Sequence, residues 1–115
     1  MREPVLQRAW EELLDGYAIA ATDAGLREST IRAHCEHCRH LMRLTQRAPN
    51  ELDEATLRSW LSRPSWAFRT RQGHRASVHA VLSWALGAGH IDANPLESVY
   101  ARGDRTLGAN ADDSV

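Results

Sequence analysis

His34, Cys35, His37, Cys38 and His40 form the densest group of metal-ligating and nucleophilic side chains in this sequence. Cys-x-x-Cys and His-x-x-x-Cys spacings supply ligands in zinc domains. The group falls inside a stretch of helical periodicity, however. At about 100° per residue, His34, Cys35 and Cys38 share a side with Ile31, Leu41, Met42 and Thr45, whereas His37 and His40 point elsewhere. One straight helix does not converge four ligands tetrahedrally, and no second cysteine pair follows. The thiols therefore read as small apolar core residues, with no metal and no cofactor expected. Two cysteines do not suggest a disulfide framework either.

The second chemical signal is arginine. Residues 27–75 carry ten arginines against five acidic residues, so this stretch is about +5 within a chain whose net charge is −1. All fourteen basic side chains are arginine. Arginine suits bidentate contacts to phosphate and to guanine, although codon bias in a GC-rich genome also explains missing lysine. Arg32, Arg39, Arg43 and Arg47 recur on one side of the second helical stretch, opposite its apolar face. Arg71, Arg75 and His79, spaced by four, are expected to form an outward stripe on a later helix. Of the four tryptophans, Trp10, Trp60 and Trp84 fall on apolar faces, and Trp66 sits in a loop where it could instead stack on a base. There is no glycine-rich phosphate loop and no outstanding carboxylate pair.

The elements that position these residues are helical. A first helix over 4–24 presents Leu6, Trp10, Leu13, Leu14, Tyr17 and Ala21 on one face; Gly16 weakens its middle by about 1 kcal/mol relative to alanine, and Gly25 stops it. A second spans 29–46, with Ser29 as its cap. Ala48-Pro49-Asn50 is a turn, and Asp53 caps a short third helix over 54–62 that buries Leu57, Trp60 and Leu61. A fourth, over 69–88, turns Val78, Val81, Trp84, Ala85 and Ala88 inward, and Gly89 ends it above Ile91. Asn94-Pro95 opens a last turn through about Tyr100. No strand alternation and no repeat appear. The expected fold is an all-α bundle of four to five helices in one domain over residues 1–100, followed by a linker or tail over 101–115.

No apolar run approaches the ~20 residues that span a bilayer, and Glu3 and Pro4 interrupt any signal-peptide pattern. An intracellular location with no membrane partner is the default expectation.

The order of these signals resembles the core-binding domain of the tyrosine recombinases, the phage-integrase family. The resemblance covers roughly residues 6–100. Its most specific part is Val78 to Pro95, where Trp84-Ala85, Gly89, Ile91 and Asn94-Pro95 follow the family pattern. The Ser29-Thr30-Ile31 helix start and the Trp60-Leu61 pair add to it. The chain departs from the pattern at Arg27, where a small capping residue is usual, and near His34, where an aromatic is usual.

The resemblance implies a SAM-like orthogonal helical bundle that grips double-stranded DNA without cutting it, in the cytoplasm of a bacterium or of a phage-infected cell, associated with the nucleoid. It places the DNA contacts on Ser29, Thr30, Arg32, Arg39 and Arg43 of the second helix, and on Arg69, Thr70, Arg71, Arg75 and His79 of the fourth. Cleavage would belong to a C-terminal catalytic domain missing from this chain, and homo-oligomers would form only in the full-length complex on DNA. His40-Leu41-Met42-Arg43 matches the family's catalytic His-x-x-Arg by letter only, since it lies in a DNA-gripping helix; Tyr17 reads as core and Tyr100 is misplaced for a nucleophile. No enzymatic activity is therefore expected. Binding should be weak and phosphate-led, micromolar or poorer, since a single module contacts roughly 600–1,000 Å². Alternatives are a helical protein-interaction module or a degenerate integrase remnant without DNA binding, and, more remotely, a metal-binding regulator resting on the Cys/His group.

Overall fold

The structure, a computed structural model, describes residues 2–97, and every element in them is helical. Four α-helices occur: α1 (Arg2–Asp23), α2 (Glu28–Thr45), α3 (Glu54–Leu61) and α4 (Phe68–Ala88). A 3-10 turn, Pro49–Glu51, precedes α3. The expected tail over 101–115 and the end of the last turn at Tyr100 lie outside the described residues.

The apolar spacing of each helix sets its buried face. α1 buries Leu6, Trp10, Leu13, Leu14, Tyr17 and Ala21, the six residues its periodicity marks. It begins at Arg2, with Pro4 in the first turn, where a missing N–H is harmless. α2 buries Ile31, Cys35, Cys38, Leu41 and Met42, and α3 buries Leu57, Trp60 and Leu61. The thiols are thus core residues, Cys38 with no exposed surface, and burial pushes its pKa up, away from reactivity.

Two glycines end helices by the same device. Gly25 (φ +90°) and Gly89 (φ +84°) adopt the left-handed conformation. Leu26 N–H then donates to the Ala21 carbonyl at 3.0 Å, and His90 N–H to that of Ala85 at 2.9 Å, which satisfies carbonyls the helices leave open. Asp53 caps α3, its carboxylate accepting from Thr56 N–H at 2.7 Å. Asn94 caps the turn at Pro95, its side-chain oxygen accepting from Leu96 N–H at 3.0 Å. Ile91, Asn94 and Leu96 are buried, so the segment after α4 closes the core.

α4 packs on α1, α2 and α3. It runs back along α2: Ser77 Oγ meets His37 Nδ1 at 2.6 Å, and the His74 ring lies 3.9 Å from that of His37 and 5.5 Å from that of His40. At the other end, the rings of Trp84 and Tyr17 are 5.9 Å apart and Tyr17 Oη is 2.6 Å from His34 Nδ1. Trp84 is only half-buried and Ala88 is exposed, against the expectation that both point inward.

Gly16 has a packing reason. A Cβ there would lie 2.8 Å from the edge of the Trp84 indole. Gly16→Ala should therefore forfeit the ~1 kcal/mol that alanine normally contributes to a helix, because overpacking costs about 1–3 kcal/mol. The expected result is a lowered thermal midpoint by calorimetry; a raised midpoint would show that the indole moves aside without cost.

Candidate nucleic-acid interface

The ten residues expected to contact DNA divide by what their side chains already do. Ser29, Thr30, Arg43, Arg69 and Thr70 are exposed, and among the described residues neither Arg43 nor Arg69 has a carboxylate partner. Arg32 is exposed beside Glu28 at 3.3 Å, an i,i+4 pair of small energetic weight. Arg39 is occupied: Nε and Nη2 donate to the Glu11 carboxylate at 2.8 and 3.0 Å, and Nη1 donates to Glu36 at 2.6 Å. The hydrogen bond from Arg39 holds Glu11 below the usual carboxylate range, so this pair fastens α2 to α1. His79 lies 3.9 Å from Glu97.

Arg71 and Arg75 do not form the expected outward stripe. Arg75 is 6% exposed. Arg71 is half-buried and turned onto the end of α3, its Nε donating to the Leu61 carbonyl at 2.7 Å and its Nη2 to those of Arg63 and Trp66 at 3.3 and 3.4 Å. The reason is helical arithmetic. Seven residues are two turns, so Arg71 lies over Val78 and Arg75 over Leu82, both fully buried. The i,i+7 relation to these apolar residues was the signal that could have placed the two arginines inward.

The caps also differ from expectation. α2 starts one residue before Ser29, after Arg27, and α4 starts at Phe68, after Ala67; neither start has a side-chain cap. Their first-turn N–H groups stay open beside Ser29 and Thr30 in one case and Arg69 and Thr70 in the other. Such a terminus, with its partial positive charge, favours anions. Because α4 runs back along α2, the two starts lie at opposite ends of the helix pair. Arg43, 14 residues and about 21 Å along α2 from Ser29, belongs instead to the end where α4 begins.

The sequence reading passed over Arg63 and Phe68. The Arg63 guanidinium lies 5.9 Å from the centre of the Trp66 ring, and both Arg63 and Arg43 act electrostatically on His40, which places the two cations at the same end as the α4 start. Phe68, the first residue of α4, is largely exposed beside Arg69. Trp66, the ambiguous tryptophan, is half-buried against His74 and Trp60, with ring centres at 4.2 and 5.3 Å.

Among the described residues, no group of three or more His, Cys, Asp or Glu side chains is arranged to hold a metal ion, and no helix is long and apolar enough to cross a membrane. The chain has no significant match among protein-family models, curated proteins or solved structures.

Proposed function

We propose that this chain is a DNA-gripping helical domain of the tyrosine-recombinase core-binding type, SAM-like in fold, which holds duplex DNA through phosphates while another domain performs strand cutting and rejoining. The observation that carries the reading is the end of the α2–α4 pair, which holds Arg43 and Arg63 near His40 and, on the uncapped first turn of α4, the exposed Arg69 and Thr70. Guanidinium groups without carboxylate partners release counterions when they meet phosphates, and open helix amides and a hydroxyl add directed donors. Ser29, Thr30 and Arg32, about 20 Å away along α2, supply a second anchoring point on the same duplex. The helix order, the Gly89 stop and the Asn94-Pro95 turn support the family reading.

A labelled duplex titrated at about 50 and about 200 mM salt tests this. Binding should weaken steeply with salt. The Arg43→Glu, Arg69→Glu double variant should lose at least about tenfold in affinity and flatten the salt slope by about 2, while Arg8→Glu on α1 changes little. Affinity that ignores salt, or a double variant that binds as tightly as the parent, would refute the proposal.

A second reading rests on Val5 and Ile19, each 67% exposed on α1. They would suit a protein-interaction module. Dimerisation or partner capture abolished by Val5→Ser, Ile19→Ser, with DNA binding absent, would favour it.

A further inference from the structure

Five rings from three helices and one connection converge between α2, α3 and α4: His37 and His40, Trp60, Trp66, and His74. The DNA-gripping proposal uses none of them. We infer that the Trp60–His40 hydrogen bond within this cluster is a proton-sensitive latch, which fastens α3 and the 62–67 connection to α2 and α4 at neutral pH and lets them loosen on mild acidification.

The hydrogen-bond chemistry fixes where protons sit. An indole N–H only donates, so the 3.1 Å contact from Trp60 Nε1 to His40 Nδ1 requires an unprotonated Nδ1. Neutral His40 carries its proton on Nε2. A carbonyl only accepts, so His74 Nδ1, 2.8 Å from the Thr70 carbonyl, carries a proton and donates. A proton added to His40 Nδ1 would occupy the place of the indole hydrogen, and the bond to Trp60 would be lost. Trp60 is almost fully buried and anchors α3, so the loss falls on an element of only eight residues.

The surroundings disfavour charge. His40 faces His74 from α4, Arg43 from its own helix and Arg63 from the connection after α3. His37 is stacked on His74, bonds to Ser77 (3% exposed), and faces His34, His40 and Glu36 of its own helix. Glu36, the one carboxylate facing this histidine pair among the described residues, already accepts from Arg39. Burial pushes His37 and His40 below the ordinary imidazole range, and the neighbouring imidazoles, joined at His40 by the Arg43 and Arg63 guanidinium groups, push them further; Glu36 opposes this only at His37.

The sign follows. Unfolded histidines take up protons near pH 6.5, about where the folded pair still resists them, so the unfolded chain binds more protons. The contribution of the pair is complete above about pH 6.5 and declines as pH falls through that value toward the lowered folded pKa values.

The test follows the indole N–H resonances of the full chain by NMR from about pH 7.5 to about pH 5. The Trp60 resonance should shift or broaden in step with His40 titration, with its midpoint below the ordinary imidazole value, while Trp10 remains unmoved. His40→Gln retains an acceptor that does not titrate and should move the Trp60 transition down by at least about one pH unit. A Trp60 resonance that stays constant while His40 titrates overturns the inference. So does a transition that coincides with global loss of the Trp10 signal, a reading of the unaltered chain that decides even where the variant fails to fold.

Discussion

Trp10→Ala should remove about 3–5 kcal/mol of stability, a large share of the roughly 5–15 kcal/mol that a domain of this size possesses. Trp10 is fully buried in α1, and its Nε1 donates to the Arg47 carbonyl at 2.8 Å, just beyond the end of α2. Alanine leaves a large cavity under the packed helices and strands a carbonyl. Trp10→Phe separates the two contributions: it keeps most of the ring volume but loses the donor, so about 1–2 kcal/mol should go. Denaturant unfolding followed by helical circular dichroism reads both. An alanine variant within about 1 kcal/mol of the parent would mean that the core collapses around the gap more completely than its packing suggests.

Arg71→Ala should cost about 2–4 kcal/mol, a large effect for a surface-type residue. The guanidinium donates to three carbonyls at and beyond the end of α3, those of Leu61, Arg63 and Trp66. It thereby caps a helix of eight residues that could not persist alone. Lysine at this position would recover only part of the loss, because a single ammonium lacks the planar fork that reaches separate acceptors. DNA affinity of the folded fraction should stay near that of the parent, in contrast to the Arg43, Arg69 double variant. Arg71→Ala with unaltered stability and weakened DNA binding would return this arginine to the outward face.

The contrast between these arginines separates what is local from what is not. The apolar repeats of α1, α2 and α3 named their buried residues, because each of those helices shows the core one narrow stripe and a stripe follows from spacing alone. The glycine stops and the Asp53 and Asn94 caps were equally legible, since they depend on backbone conformation within a few residues. The starts of α2 and α4 were not: Ser29 suits a cap by type, whereas the chain enters α2 at Glu28 and α4 at Phe68, one residue early in each case.

Spacing and composition alone prescribe helices over residues 2–97, the buried stripes of α1, α2 and α3, and an arginine-rich middle. Which arginines remain for a ligand follows instead from how the helices pack. α4 touches three neighbours, so its inner face is wide enough to take in Arg71 and Arg75, while Glu11, distant in sequence, claims Arg39. A guanidinium is a long-stemmed donor whose partners come from whatever the fold places beside it, and composition carries no information about that neighbourhood. The meeting of His37, His40 and His74 with two tryptophans has the same origin, since those rings lie on three helices and a loop that only packing brings together.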